Sequence, residues 1–235
     1  MRRRTIATTS VLFVCAATAL TACSSSDSTT ASAKNSPAAS SPSAPAKPKA
    51  PFADRTGGQV FTDAVKANRQ ATSLRLKADI ADATDGPTRL DLTMDTKGDC
   101  TGTIGTGKES VSIIKTGKTV YLRQAHARAW KKSDTTSGEG KDLAAVCDLN
   151  DYLTDPGQDN AAVKGATTTV DGTPAIVLTE KDGKESYTID VATSGKPYLL
   201  KMVTVGGDSP GTLAFSDFDK PVHAVAPPKS AVTAG

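Results

Sequence analysis

"SLRLKADI" (residues 73–80) is followed shortly by "TRLDLTMD" (88–95). In the first, Leu74, Leu76, Ala78 and Ile80 alternate with Arg75, Lys77 and Asp79. In the second, Leu90, Leu92 and Met94 alternate with Arg89, Asp91 and Asp95. Side chains on a strand point to opposite faces in turn, so each stretch reads as a half-buried strand. "DGP" (85–87) between them is a turn signal. A third strand is expected to begin near Cys100. "ESVSIIK" (109–115) and "TVYLRQ" (119–124) supply two more, joined by the hairpin-like "TGK" (116–118). Residues 73–124 therefore predict an antiparallel meander with one dry and one wet face.

Outward from this meander the period changes. Upstream, Val60, Phe61, Ala64, Val65, Asn68 and Ala71 recur at helical spacing, which predicts a helix over 57–73. Downstream, 126–141 is polar and reads as a loop holding the single tryptophan, Trp130. "DLAAVCDLNDYL" (142–153) reads as a short helix with Leu143, Val146, Cys147, Asn150 and Leu153 on one face, ended by Asp155-Pro156-Gly157. From 161 onward β character returns in "AVKGATTTV", "TPAIVLTE", "ESYTIDV", "YLLKMVTV" and "GTLAFSDF". The breaks at 171–172, 182–183, 194–195 and 206–207 are turn pairs. "KPVHAVAPPKSAV" (220–232) closes the domain as an extended tail. The result is an α+β class: two meanders around a helical insertion, behind a leading helix.

"DCTGTIGTGKES" (99–110) places Gly102, Gly107 and Lys108 at the spacing of a phosphate-cradling loop. Such a loop must open a helix, whose N-terminus meets the phosphates. Here Lys108 leads into a β-alternating run, and Glu109 stands where a magnesium-binding hydroxyl is needed. Its carboxylate would repel phosphate. The glycines are read as turn or bulge residues.

The N-terminus points to export. Three arginines precede an apolar, uncharged run over 5–19. That is the length of a signal-peptide core and short for a span, which needs roughly 20 residues. The run ends in "LTAC" (20–23), which resembles a bacterial lipobox; the resemblance implies that Cys23 receives a diacylglyceryl group and anchors the chain. Residues 24–50 are almost all Ser, Ala, Thr, Pro and Lys, too poor in apolar surface to offset chain entropy, and read as a disordered tether. The expected organisation is a signal peptide over 1–22, lipidated Cys23 plus tether over 23–50, and one β domain over 51–235. Its expected place is the outer face of the cytoplasmic membrane.

The formal charge of +3 belongs mostly to the leader. Setting aside Arg2, Arg3, Arg4, Lys34, Lys47, Lys49 and Asp27 leaves 22 basic and 24 acidic residues. The folded part thus offers no electrostatic case for nucleic acid. In an oxidising compartment, Cys100 and Cys147 read as a disulfide, worth about 4 kcal/mol in the chain-entropy model. A metal site is the alternative, but no His or acidic partner stands at suitable spacing near either thiol. His126 and His223, the only histidines, read as solvated, and no G-x-S-x-G or H-E-x-x-H occurs. No enzyme, metal or cofactor is expected.

The layout of leading helix, meander, short helices and second meander, behind a lipobox and stalk, resembles the LolA-like superfamily. Within it, the resemblance is to the actinobacterial LppX/LprG-type lipoproteins. It rests on "GKTVYLRQAHARAWKK" (117–132) and "FSDFDKPVHAVAPP" (215–228) and covers roughly 55–230. It implies a strongly curved antiparallel half-barrel of about eight to eleven strands, with helices on the concave side. It also implies an apolar space for a lipid, lipoglycan or other hydrophobic ligand, and no catalytic residues. The residues expected to line that space are Phe61, Val65, Leu74, Leu76, Leu90, Leu92, Val111, Ile113, Val120, Leu122, Ile176, Leu178, Tyr187, Ile189, Leu213 and Phe215. The competing expectation is that these same residues form a filled core, in a cell-surface interaction or sensor lipoprotein without a ligand.

Overall fold

A computed structural model describes residues 50–82, 86–136, 138–152 and 161–234, all within the compact unit Lys47–Gly235. The signal peptide, Cys23, the tether to residue 49, Asp85, Leu153 and the break at 155–157 lie outside the described residues.

The chain opens with helix α1 (Gly57–Arg69). It starts at Thr56 because a capping box forms there: the Thr56 hydroxyl accepts the Gln59 N–H, and Gln59 Oε1 accepts the Thr56 N–H. Val60, Phe61, Ala64, Val65 and Asn68 make its buried face, as their spacing predicts. The helix stops at Arg69, a turn earlier than expected, and its tail feeds directly into β1.

Six strands then follow as successive antiparallel neighbours: β1 (Ser73–Ile80), β2 (Thr88–Asp95), β3 (Cys100–Thr106), β4 (Glu109–Thr116), β5 (Thr119–Gln124) and β6 (Trp130–Asp134). β6 corrects the expectation of a loop over 126–141. It has no apolar alternation, because it is an edge-side strand whose one large anchor is Trp130, buried with the Arg123 guanidinium 4.6 Å from its ring centre.

The helical insertion also differs from expectation. It splits into α2 (Gly138–Ala145) and a 3₁₀ turn (Leu149–Tyr152). The split has a local cause: Asp148 Oδ1 accepts the Asn150 N–H at 2.9 Å, an alternative to helical hydrogen bonding. Gly140 lets α2 sit on the end of β6, where a Cβ would lie 2.1 Å from the Asp134 carbonyl oxygen.

Five further strands complete the second meander: β7 (Val163–Val170), β8 (Thr173–Asp182), β9 (Glu185–Ala192), β10 (Leu199–Val205) and β11 (Gly211–Ser216). β11 pairs with β1, with Leu76 opposite Phe215 and Ala78 opposite Leu213, so both meanders form one open sheet. The tail leaves β11 near the centre and returns as β12 (Val232–Ala234), pairing parallel with β6 at the far edge. The sheet is therefore a curved, unclosed α+β half-barrel of 12 strands in the order β12-β6-β5-β4-β3-β2-β1-β11-β10-β9-β8-β7. Register shifts at Leu199/Lys201 and Lys164/Thr167 mark bulges, which bend a strand and increase its twist.

The two helices and the alternating apolar positions of the sheet share one core. Leu74, Leu76, Leu92, Met94, Ile113, Val120, Leu178, Ile189 and Val191 are all less than 2% exposed. Cys100 and Cys147 are joined as a disulfide, with Cα atoms 5.7 Å apart, tying β3 to the segment after α2. Asn68 of α1 is fully buried. Its Nδ2 donates to the Leu199 carbonyl at 3.0 Å and its Oδ1 accepts the Leu199 N–H at 2.9 Å. The helix is thereby clipped to the bulge of β10.

On the opposite face charges pair across strands. Arg75 meets Asp91 through two contacts of 2.7 Å, and Arg89 reaches Asp79 at 3.4 Å. Where β11 ends, Asp217 and Asp219 take left-handed backbone at φ 53° and 60°. Asp219 Oδ1 accepts the Thr72 N–H at 2.8 Å, while Oδ2 accepts Tyr198 Oη at 2.7 Å and Lys196 Nζ at 2.9 Å. The Thr72 N–H, then Tyr198 and Lys196, hold this carboxyl well below the usual range. Phe218 stacks on Tyr198 with centroids 3.8 Å apart.

Candidate functional site

The candidate site follows from the register of the inner face. One row of inward positions crosses the sheet strand by strand. It runs Val111 opposite Ile104, Ile104 opposite Leu90, Leu90 opposite Ala78, Ala78 opposite Leu213 and Leu213 opposite Met202. Met202 then faces Ile189, and Ile189 faces Leu178. The next positions toward the β1–β2 end are Ile80 and Tyr187. Val111, Ile104, Ile80, Leu213, Met202 and Tyr187 are half-buried, whereas the rows beyond them are sealed. The dry face thus ends in an apolar rim along one end of the half-barrel.

All sixteen residues expected to line a ligand space lie in this single cluster. Thirteen belong to its buried part: Phe61, Val65, Leu74, Leu76, Leu90, Leu92, Ile113, Val120, Leu122, Ile176, Leu178, Ile189 and Phe215. Val111, Tyr187 and Leu213 are half-buried at the rim. A side chain facing a water-sized void keeps accessible surface. Leu76, Leu92, Ile113, Val120, Leu178 and Ile189, at 0% exposure, therefore touch none. Three rim residues were missing from the sequence expectation: Ile80, Ile104 and Met202. Ile104 was hidden in the glycine-rich stretch, and Met202 sits in "YLLKMVTV", where an apolar run has no alternation to read. Ile80 was legible as an inward position of β1.

The groups at the rim are chemically quiet. Tyr187 donates to Glu185, and that hydrogen bond, ahead of burial, pushes its hydroxyl up to about 12. Deeper in, burial pushes Tyr152 up to about 12, and its hydroxyl donates to the Val146 carbonyl at 2.8 Å. Neither gives a base or nucleophile near neutral pH. His126 and His223 are both exposed, and among the described residues no group of three or more His, Cys, Asp or Glu stands together to hold a metal ion. No described helix is long and apolar enough to cross a membrane.

The phosphate-loop spacing at 102–108 resolves into strand and hairpin. Gly102 lies within β3, where a Cβ would meet the Asp91 carbonyl oxygen at 2.0 Å. Gly107 makes the β3–β4 turn with φ 60°. No helix follows Lys108; β4 does. Facing solvent nearby is a cleft of about 530 Å³, lined by Lys77, Asp79, Arg89, Asp91 and Lys108 among others. Its charges are mixed, and Asp79, Arg89 and Asp91 are already paired.

No protein-family model matches the sequence, and no curated protein matches it. Solved structures do. LprF from Mycobacterium bovis superposes with a TM-score of 0.52 at 13% identity, over 73% of this chain and 96% of that one. The lipoprotein LppX from Mycobacterium tuberculosis superposes with a TM-score of 0.51 at 14% identity, over 72% of this chain and 97% of that one. At such identity the likeness is one of fold. In its fold, the chain is similar to these two mycobacterial proteins, an open, curved antiparallel half-barrel.

Proposed function

We propose that this chain is an extracytoplasmic lipoprotein, anchored through Cys23, that binds a hydrophobic ligand at the rim of its half-barrel and catalyses no reaction. The observation that carries the reading is the set of half-buried rim residues Ile80, Ile104, Val111, Tyr187, Met202 and Leu213, at the margin of the dry inner face. An acyl chain laid there would cover apolar surface at about 25 cal/mol per Å². The sealed rows behind it mean that deeper entry requires α1 or the insertion to move off the sheet. Phe61, Val65 and Leu122 would then become lining residues, as the sequence implied. The LppX/LprG-type fold supports the reading, as do the basic, apolar and small-residue succession over 1–22 and Cys23.

The test is mass spectrometry of organic extracts from protein purified natively from an exporting actinobacterial host. A stoichiometric amphiphile is expected, and Leu213→Trp, which fills the rim, is expected to reduce it severalfold. A clean extract that stays clean after incubation with host membranes overturns the reading. That result would favour the second one, a surface interaction module, which the zero exposure of the inner rows independently supports.

A further inference from the structure

The two ends of the sheet are treated very differently. At the β6 end, the strand carries Lys131 and Lys132 and is covered by β12, itself only three residues long. Short strands and lysines are how proteins keep sheet edges from pairing. At the other end β7 runs for eight residues, and among the described residues it pairs only with β8. Its sequence, "VKGATTTV", has one charge, Lys164, whose amine is turned to the Phe52 carbonyl at 2.8 Å. Gly165 to Thr169 are exposed, and Val163 is 63% exposed.

The backbone groups available at this edge can be identified. Thr169 lies opposite Pro174 of β8, and the Pro174 carbonyl accepts the Thr193 N–H at 2.9 Å, so Pro174 is turned toward β9. In an antiparallel ladder, a residue whose partner turns away points its own N–H and C=O the other way. Thr169 therefore presents both groups to the open edge. So does Thr167, two positions back in the same register.

We propose that the β7 edge pairs antiparallel with the β7 edge of a second copy of this chain, about a twofold axis at Thr168. Charge favours a copy of itself as occupant. With that axis Thr167 meets Thr169 of the partner subunit, so all the free groups of both residues are used. Asp171 of the partner subunit comes opposite Gly165, beside Lys164. The two Lys164 residues stand at opposite ends of the ladder and never face each other. Threonine pairs across the ladder are favourable in their own right. One strand pair is smaller than a standard interface, so the dimer is weak and concentration-dependent.

The test uses the full chain in mild detergent. Sedimentation should show a reversible dimer, and Thr169→Lys, at an exposed position, should weaken it at least tenfold without changing the melting temperature. Thr168→Cys should cross-link to its counterpart on mild oxidation, because non-hydrogen-bonded pairs bring Cα atoms to about 4.5 Å, within disulfide range. Thr233→Cys, on the opposite edge, should not. A chain that stays monomeric to about 1 mM without cross-linking at Thr168 overturns the proposal. So does a dimer indifferent to Thr169→Lys, or a strand from a different protein found on this edge.

Discussion

The two halves of the sheet hold their helical cover by different means. In the first meander the insertion is tied covalently, Cys147 to Cys100 on β3. In the second, α1 is tied by Asn68, a buried amide that satisfies both backbone groups of Leu199. A disulfide acts mainly by restricting the unfolded chain. A buried amide acts only in the folded state, and its removal leaves two buried backbone groups without partners. One tie therefore responds to redox conditions and the other to side-chain chemistry alone.

Breaking the first tie should have the larger effect. Cys147→Ser, or reduction of the native protein, is expected to cost about 4 kcal/mol. Denaturant titration with and without reductant measures it, and an unchanged midpoint would mean the bond does not form. Asn68→Ala is expected to cost about 3 kcal/mol, independent of reductant, with protection from hydrogen exchange falling first in β9 and β10. Combining the two asks whether the halves unfold together. Their joint through β1 and β11 predicts one transition and near-additive losses. Two separate transitions would show that the halves are independent units.

The same contrast explains what the sequence revealed. Strands β1, β2 and β5 were legible because alternate side chains are buried, so Leu76 and Lys77 carry opposite instructions, and β4 from the hairpin turn it shares with β5. β7 to β11 were legible from their β-rich runs and from the glycine-containing turns between them. β6 was not, because an edge strand beside a covering tail needs only Trp130 as an anchor. The break in the insertion was not either: it depends on one side-chain hydrogen bond from Asp148, and nothing in the helical spacing of Leu143, Val146 and Cys147 announces it. Asn68 was visible on the apolar face of α1, but its partner is far away in the chain, on a bulge that periodicity does not show. For the site, the inner-face residues could be named from alternation. How far each is sealed depends on where the helices lie across them.

The outer face holds smaller ties. Asp219 gathers Thr72, Lys196 and Tyr198 around a strained turn, and Asp219→Ala should cost about 1–2 kcal/mol, with the solvent exposure of the site keeping it below the buried ties. Thermal melts at neutral pH check this. Because the folded carboxyl titrates below its ordinary value, the contribution is full above the usual carboxylate range. It is lost as pH falls through the depressed value, so the variant and the native protein should converge in acid.

Asp91 and Asp190 sharpen the comparison with opposite signs. Asp91, in the first meander, is held low chiefly by its hydrogen bonds from Arg75, and then by the charges of Arg75 and Lys77. Asp190, in the second, is only 9% exposed, and burial raises it against the weaker pull of Lys201, its cross-strand neighbour. A lowered carboxyl stabilises the fold above its unfolded value and stops doing so in acid. A raised one does the reverse: the folded state favours the proton, so ionisation at neutral pH weighs against folding, and that penalty disappears below the unfolded value. Asp91→Asn should therefore lower the melting temperature at pH 7, and Asp190→Asn should raise it. Both differences should shrink as the pH is taken below about 4, where carboxylates of ordinary pKa become protonated. If Asp190→Asn instead destabilised at pH 7, the pull of Lys201 would outweigh burial, and Asp190 would be a tie of the second meander on its outer face.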